Sequence, residues 1–403
     1  MALIDTQCCI AGGGPAGMML GLLLARVGID VVVLEKHRDF LRDFRGDTIH
    51  PSTMQIMHEL GVLERFLARP HQKVDRLGVQ FGAEFLQVAD FSKLPTRCKF
   101  IAMMPQWDFL DFLADEARAF PGFHLHMEAE VTGLRPQNGR IVGVEARTPQ
   151  GRLDIQAGLT IGADGRHSIV REKAGLTARE LGAPIDVLWM RLSRHGEDID
   201  RSMGWVGAGE MMVLINRQEY WQCAFVIPKG GFDAIRARGL ADFQRHIATL
   251  APFLANRVEE LRDWADIKLL TVAVNRLERW HRPGLLCIGD AAHAMSPVGG
   301  VGINLAIQDA VAAGNILAGK LRGGGVGDAD LAAVERRRLL PTRIIQRLQL
   351  IVQDRVISNV LASRRVPKVP PLIRWLLKLP VIGQLPARLV GLGFRPEHVN
   401  KIS

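Results

Sequence analysis

The first 36 residues constrain the fold more than any other part of the chain. An apolar run, Leu3–Ile10, precedes a glycine-rich turn, and Pro15–Val27 then has the composition of a buried helix. Gly28 suits the end of that helix, and Ile29–Leu34 is nearly all β-branched, as buried parallel strands are. Strand, helix and strand in this order predict a βαβ unit and therefore an α/β fold.

The turn of this unit has the spacing of a dinucleotide-binding site. Gly12, Gly14 and Gly17 form G-x-G-x-x-G, and Glu35 ends the second strand. Such glycines let the backbone approach a pyrophosphate at a helix N-terminus. An acidic residue in that position accepts hydrogen bonds from ribose and disfavours a 2′-phosphate, which indicates NAD or FAD rather than NADP. A tight turn without a ligand is the alternative. The neighbours assigned to the same site are Pro15, Ala16 and Lys36.

A second glycine cluster, in residues 287–306, favours FAD over NAD. A short apolar strand ends in Gly289 and Asp290, and a loop rich in glycine follows just before an Ala-rich helix. Backbone N–H groups at that helix N-terminus would stabilise negative charge on a reduced flavin, and Asp290 could hold a polyol chain. An ordinary loop–helix junction is the alternative. The residues predicted to line the flavin are Pro297, Gly299, Gly300, Val301, Gly302, Ile303 and Asn304.

A third motif completes a family resemblance. Residues 162–171, GADGRHSIVR, place Asp164 and Gly165 after a predicted strand. In this order and spacing, the three motifs resemble those of the class A flavoprotein monooxygenases, the group of para-hydroxybenzoate hydroxylase and the ubiquinone-biosynthesis hydroxylases. Arg45 matches a family arginine that reaches the FAD, and Gln106 matches a glutamine of the para-hydroxybenzoate hydroxylase-like members. For Asp164, a cap of a turn or helix is the alternative role.

The resemblance implies a cofactor and a reaction. The first glycine motif and Glu35 would bind the ADP half of FAD, Arg45 and Gln106 its ribose, pyrophosphate or ribityl region, and Asp290 its ribityl chain. In this family NADPH or NADH reduces FAD, O₂ forms a C4a-hydroperoxide, and one oxygen atom enters an aromatic or lipophilic substrate. The cofactor supplies this chemistry, so the protein has to exclude water. Two alternatives stay open: a reductase or oxidase that acts on C=C bonds without oxygen insertion, and a non-catalytic binding module.

Tyrosine and histidine are the candidates for activating the substrate. The chain has one tyrosine, Tyr220, so either it acts with a histidine or no relay is needed. His50 and His293 lie beside cofactor motifs and titrate in the useful range. Sheet packing for Tyr220 and structural roles for the histidines are the alternatives. The predicted catalytic residues are Pro297, Gly299, Gly300, Tyr220 and His50.

The motifs predict two interleaved domains and a C-terminal segment. At roughly 150 residues per domain, 403 residues allow two to three. We expect a Rossmann-like FAD-binding domain, an antiparallel-sheet substrate domain and a helical C-terminal segment. The FAD-binding domain takes residues 1–73, 106–178 and 276–322, the substrate domain 74–105 and 179–275, and the C-terminal segment 323–403.

Two apolar patterns are open to more than one interpretation. Several apolar residues on the predicted substrate strands indicate either a pocket for a polycyclic or otherwise lipophilic aromatic substrate or, preferably, core packing. They are Met211, Met212, Leu214, Trp221 and Phe225. Residues 328–361 read as a helix kinked at Pro341, with an apolar face. That face consists of Ile344, Leu348, Ile351, Val352 and Val356.

The positive charge lies mostly at the end of the chain. Residues 364–403 carry +7 of the formal charge of +9, together with six prolines. The rest of the chain has neither a basic face nor a motif for nucleic acid. The tail suits either a peripheral contact with an anionic membrane or a solvated basic face. Five cysteines without metal-type spacing predict no metal site and fit a cytoplasmic, reducing compartment. The oligomeric state is unknown.

Overall fold

A computed structural model describes residues 2–41, 48–199, 202–379 and 381–400. Its first sheet has a parallel centre, in which Ala2–Ala11 lies between Val31–Leu34 and Gly151–Gly162. Most apolar side chains of these central strands are buried on both faces, as the run of β-branched residues predicts, whereas Leu3 near the chain start is exposed. The remaining strands of this sheet are Phe123–His126, Glu130–Gln137, Arg140–Thr148, His281–Arg282 and Leu285–Cys287.

Buried helices cover this sheet. Pro15–Ala25 packs against Gly302–Arg322 and against Gln106–Arg118. Among the described residues, Val298–Arg322 is the one segment long and apolar enough to cross a membrane, and 83% of its most apolar window is buried inside the protein. It is therefore a core helix. The shorter helices of this part are Pro51–Glu59, Leu63–Leu67 and Ile169–Lys173.

A second sheet of seven strands carries the predicted substrate region. Its strands pair antiparallel, except that Met203–Val206 runs parallel to Arg76–Phe81. One face is covered by the helices Phe232–Arg238 and Leu240–Leu250. The other strands of this sheet are Glu84–Asp90, Ile185–Ser193, Met211–Asn216, Tyr220–Pro228 and Lys268–Leu270. Two small sheets consist of Thr48–Ile49, Gln72–Val74 and Ile101–Met103, and of Ala178–Glu180 and Asn275–Leu277.

The C-terminal part is helical, as predicted. Asp328–Val352 is one helix through Pro341, and its irregular turn comes later, as a π-helical segment at Gln353–Ile357. Ser358–Ala362, Pro371–Lys378 and Leu385–Gly391 follow. The mixed α/β fold with a helical C-terminal region is thus confirmed, while the exact domain boundaries stay a prediction.

The predicted strand 124–134 is wrong as a single element. Its first part joins the parallel edge of the first sheet, and its second part pairs antiparallel with Arg140–Thr148. Between them Glu128 adopts a φ of 54°, which turns the chain. A left-handed glutamate has no signature in the hydrophobic pattern, which is why the two strands looked continuous.

Candidate active site

The glycines of the first turn have different structural tasks. Gly12 has a φ of +106°, and a Cβ built on it would lie 2.4 Å from the carbonyl oxygen of Ala163. A Cβ on Gly17 would lie 2.0 Å from the carbonyl oxygen of Gly12. Around Gly14, by contrast, nothing lies within 4 Å of that position. Gly12 and Gly17 therefore allow the turn to pack, whereas Gly14 leaves space in front of a helix N-terminus, where a pyrophosphate fits.

Glu35 lies beside this turn, as the spacing predicts. It is 8% exposed, and its carboxylate accepts hydrogen bonds from the backbone N–H groups of Gly13, at 3.0 Å, and His37, at 3.1 Å. The turn and the end of the second strand are thereby held together. Next to them lie the exposed Lys36, Pro15 at the first helical position, and Ala16.

Asp164 caps the segment that follows it. Its carboxylate accepts hydrogen bonds from the Ser168 hydroxyl, at 2.5 Å, and from the Val170 backbone N–H, at 3.1 Å. Desolvation raises the pKa of Asp164 above its usual value, although these two bonds act in the opposite direction. The structure thus gives Asp164 the capping role that the sequence left as an alternative, and Gly165, with a φ of +86°, provides the turn.

A buried charge cluster supports the second glycine motif. Gly289, with a φ of 59°, donates its backbone N–H to Asp309, and the half-buried Asp290 follows. Asp309 also accepts from His293 Nε2, at 2.5 Å, and from Arg338 Nε, at 2.9 Å. Burial acts to raise the pKa of Asp309, but the charges of His293 and Arg338 bring it below its usual value. This arrangement gives His293 a structural role.

Loop 296–302, which precedes the long buried helix, is clamped against residues 48–53. A Cβ on Gly300 would lie 2.4 Å from Thr48 Oγ1, whose hydroxyl donates to the Gly300 carbonyl at 2.9 Å. Asn304 Oδ1 accepts from the His50 backbone N–H, at 2.9 Å, and from the Thr53 hydroxyl, at 2.7 Å. The predicted flavin-lining residues Pro297, Gly299, Val301, Gly302 and Ile303 are continuous with this clamp.

Three glutamines on one face of the C-terminal helices bond this loop or backbone next to it. Gln349 Nε2 donates to the carbonyls of Ser296, at 2.9 Å, and Val298, at 2.8 Å. Gln346 Nε2 donates to the carbonyls of Ala294, at 3.1 Å, and Asn275, at 2.7 Å, and Gln353 bonds the Ser296 hydroxyl. The sequence analysis missed these three glutamines, although their amides at 346, 349 and 353 recur on one helix face.

We expect Gln349→Leu to weaken FAD binding about tenfold. The substitution leaves the Ser296 and Val298 carbonyls without their donor, and one net hydrogen bond is worth about 1 kcal/mol. Titration of the apoprotein with FAD, followed by flavin fluorescence, measures the change. Gln346→Leu is the matched control, because its partners Ala294 and Asn275 lie outside loop 296–302. Equal losses of FAD affinity in both variants would contradict a specific role of Gln349.

His50 is a buried, neutral histidine next to the clamp. Its side chain is fully buried, and Nδ1 lies 2.6 Å from the carbonyl oxygen of Val390. A carbonyl only accepts, so Nδ1 carries the proton and Nε2 carries the lone pair. Nε2 has no hydrogen-bond partner among the described residues. Burial lowers the pKa of His50 to about 4, partly offset by the bond to Val390, so the imidazole is neutral at pH 7.

Tyr220 lies at the other end of the second sheet. It is the first residue of its strand, and its ring lies under the guanidinium of Arg191, 4.9 Å from the ring centroid. The same strand meets loop 296–302 six residues later, where Val226 and Val298 belong to one apolar cluster. At about 3.3 Å per residue, the two ends lie roughly 20 Å apart. This placement favours the packing role for Tyr220.

The apolar residues of the substrate strands mostly pack in the core, which is the interpretation that the sequence analysis preferred over a substrate pocket. Their larger members face the two helices that cover the sheet: Met212, Leu214, Trp221 and Phe225. Met211 faces the opposite side, near Val298. A lipophilic pocket, if formed by this sheet, therefore uses other residues than those the sequence suggested.

Residues 385–400, here called the C-terminal strap, close the site. Val390 holds His50 and lies next to Gly299, where an added Cβ would approach its side chain to 3.9 Å. Glu397 fixes the end of the strap, because its carboxylate binds Arg337 at 2.7 Å and Arg338 at 3.2 Å. Arg338 connects the strap to Asp309 and so to the second glycine motif.

Two further residues are predicted to contact the cofactor. Gln106 is half-buried at the first position of the helix Gln106–Arg118. Arg45 lies outside the described residues. The turn with open space at Gly14, the carboxylate of Glu35 and the clamped loop 296–302 together fit a dinucleotide that carries a flavin.

Comparison with known proteins supports this conclusion. A family described as an FAD binding domain matches residues 5–348. The chain belongs to this family. Within the FAD-binding-domain family, it is 33% identical over 371 residues to 6-methylpretetramide 4-monooxygenase of Streptomyces rimosus, covering 91% of this chain and 88% of that protein. It is 28% identical to rifampicin monooxygenase of Streptomyces venezuelae, covering 78% of this chain but only 64% of that protein's length.

Solved structures show the same fold. A probable FAD-dependent monooxygenase from Pseudomonas aeruginosa superposes with a TM-score of 0.75 at 22% identity, over 89% of this chain and 100% of that one. An anhydrotetracycline hydroxylase from Streptomyces rimosus gives a TM-score of 0.75 at 22% identity, over 98% of this chain and 77% of that one. The resemblance to class A flavoprotein monooxygenases is confirmed: the chain is an FAD-dependent monooxygenase that uses NAD(P)H and O₂.

Proposed function

We propose that the chain hydroxylates a large, mostly apolar aromatic compound with an ionisable hydroxyl group, and that His50 accepts the proton of this group. One observation carries the proposal: the unpartnered Nε2 of His50 is fully buried beside loop 296–302. A buried lone pair without a partner costs free energy, and beside the loop predicted to line the flavin a hydroxyl group of the substrate would supply the missing donor.

The sheet face that turns toward the strap supports an apolar substrate. Trp189, Val213 and Ala224 contribute to it, and they belong to one apolar cluster with Val272 and Val274. Ile215, on the same face, packs with the strap residue Ala387. Between this face and loop 296–302, an aromatic substrate would be held by burial of apolar surface and oriented by few polar groups.

The named relatives favour a substrate of several rings over a simple benzoate. Besides the two relatives above, a 12-dehydrotetracycline 5-monooxygenase/anhydrotetracycline 6-monooxygenase of Streptomyces rimosus is 26% identical over 75% of this chain. We extend to this chain only the class that these names share, a polycyclic or otherwise large lipophilic compound.

The residues of the chain then divide the work as follows. FAD, when bound, supplies electron transfer from NAD(P)H and the activation of O₂. Gly12, Gly14, Gly17 and Glu35 would hold its ADP half, Arg45, Gln106 and Asp290 its middle, and loop 296–302 its ring. The strap and the second sheet exclude water from the space between that sheet and loop 296–302. Nε2 of His50 takes up the hydroxyl proton of the substrate.

A redox-neutral reaction is the second candidate. A dialkyldecalin synthase of Streptomyces rugosporus is 26% identical over 78% of this chain and 65% of that protein, and its name describes no oxygen insertion. This candidate needs FAD as a binding partner without consumption of NAD(P)H.

The test is a comparison of anhydrotetracycline with 4-hydroxybenzoate as stimulators of NADPH and NADH oxidation under ¹⁸O₂. We expect the larger compound to accelerate oxidation and to gain one ¹⁸O atom, detected by mass spectrometry. Stimulation by 4-hydroxybenzoate alone would contradict the substrate class. A product formed without NAD(P)H and without ¹⁸O would favour the redox-neutral candidate.

A further inference from the structure

Exposed apolar side chains are concentrated at the C-terminal end of the chain. Of the seventeen large apolar side chains that are exposed among the described residues, twelve lie between Leu340 and Phe394. Scattered apolar residues on a protein surface need no explanation, but a concentration of them marks an interaction surface.

The longest row of these side chains runs along the helix Asp328–Val352 and into the π-helical segment. We call this row the ridge. Its side chains are exposed by 36% to 53%. Its members are Leu340, Leu348, Ile351, Val352 and Val356.

The ridge cannot turn inward, because the opposite face of the helix is already occupied. Gln346, Gln349 and Gln353 are buried there and bond the backbone and the hydroxyl of loop 296–302 and its neighbours. Rotation of the helix would break these bonds and leave buried amides unpaired. The hydrogen bonds of these glutamines therefore keep the ridge exposed.

The charge around the ridge identifies the kind of partner. From Arg336 to Lys378 the chain has eleven basic residues and one acidic residue, Asp354. Three of the eleven, Arg337, Arg338 and Arg374, are paired with carboxylates outside this range. Arg336, Arg343 and Arg347 are exposed and follow one edge of the ridge at helical spacing, and Arg355 lies within it. A second copy of this chain would bring two such rows of like charge together, which disfavours self-association. The complementary partner is anionic.

The next helix repeats the same chemistry. On Pro371–Lys378, Leu372 is 64% exposed and Trp375 57% exposed, and Arg364, Arg365 and Lys368 are exposed just before it. Tryptophan and leucine interleaved with arginine and lysine are typical of segments that lie in a lipid headgroup region. An acidic protein would match the charge, but it gives no reason for this many exposed aliphatic side chains.

We propose that the ridge docks the enzyme on the surface of an anionic lipid bilayer. The apolar side chains enter the headgroup region, and the flanking arginines pair with anionic headgroups. This contact lies on the outer face of the helix that holds loop 296–302. It extends the membrane contact suggested for residues 364–403 to the helix before them and leaves out the strap, which is docked on the protein. The proposal does not depend on the substrate class.

The experiment is co-sedimentation of the full-length holoenzyme with vesicles of phosphatidylcholine containing phosphatidylglycerol. We expect binding to these vesicles, none to pure phosphatidylcholine, and loss of binding between about 0.1 M and about 1 M NaCl, as charge screening increases. The double variant Arg343→Gln/Arg347→Gln should bind about 30-fold more weakly, and Ile351→Gln/Val352→Gln about tenfold more weakly.

Matched controls come from exposed residues elsewhere. Arg262→Gln removes an exposed charge, and Leu269→Gln replaces a leucine that is 43% exposed; both should bind like wild type. Unchanged flavin absorbance in every variant shows that the fold is retained. Three results would overturn the proposal: no sedimentation with the anionic vesicles, equal binding of ridge and control variants, or a dimer in light scattering that the ridge variants dissociate while vesicles remain unbound.

Discussion

Replacement of Gly14 by valine is expected to weaken FAD binding at least about 100-fold while the apoprotein stays folded. The backbone of Gly14, with a φ of −74° and a ψ of −178°, suits any L-residue, and a Cβ there meets nothing within 4 Å. The valine methyl groups would occupy the space in front of the helix N-terminus, where the pyrophosphate has to approach the backbone. A 100-fold loss corresponds to about 2.7 kcal/mol.

Two measurements separate binding from folding in this variant. Titration of the apoprotein with FAD gives the dissociation constant, and urea unfolding of the apoprotein gives its stability, which should change by no more than about 1 kcal/mol. Gly17→Val is the informative contrast, because its Cβ would lie 2.0 Å from the Gly12 carbonyl oxygen. That variant should lose stability without any ligand. Wild-type FAD affinity in Gly14→Val would place the cofactor elsewhere.

The first glycine motif was predictable because most interactions that shape it are local, although Gly12 also packs closely against Ala163. Strand, turn and helix follow one another within 36 residues, and the special φ of Gly12 and the close packing of Gly17 arise inside that segment. Glu35 directly follows the second strand of the same unit. Backbone sterics act over such distances in the same way in any chain, so spacing alone identifies the turn.

The helix Asp328–Val352 shows what a pattern cannot decide. Leu348, Ile351 and Val352 do share one face, as periodicity predicts, but that face is exposed, and the face with the glutamines is buried. Periodicity reports that two faces differ, while tertiary contacts decide which one is covered. Here the backbone carbonyls of Ala294 and Ser296 need donors, and Gln346 and Gln349 supply them.

The environment of His50 also could not be predicted from the sequence. Its proximity to a cofactor motif made it a candidate, but its protonation state depends on Val390, 340 residues later in the chain. His293, an equally plausible candidate, proved to be committed to Asp309. Only the fold shows that His293 Nε2 is bonded to a buried carboxylate, whereas His50 is bonded to a backbone carbonyl beside loop 296–302.

We expect His50→Asn to reduce turnover of the aromatic substrate about 100-fold or more, with FAD binding unchanged. The asparagine amide can still donate to the Val390 carbonyl, but it has no lone pair in the position of Nε2, and a positioned general base contributes about 10²- to 10⁴-fold. A substrate analogue with a more acidic hydroxyl, already ionised at the assay pH, should recover most of the rate in this variant. A purely structural role of His50 would give no such recovery.

The pH profile and Tyr220 complete the test. His50 accepts a proton only while neutral; since burial lowers its pKa to about 4, kcat/KM should stay level from pH 8 to about pH 5 and fall only as the pH approaches 4. A histidine with an ordinary pKa would already lose activity near pH 6.5.

Tyr220→Phe should keep turnover within about threefold of wild type, because its ring packs on Arg191 at the far end of the strand. Severe loss in Tyr220→Phe together with normal turnover in His50→Asn would reverse the assignment and make the phenol the activating group.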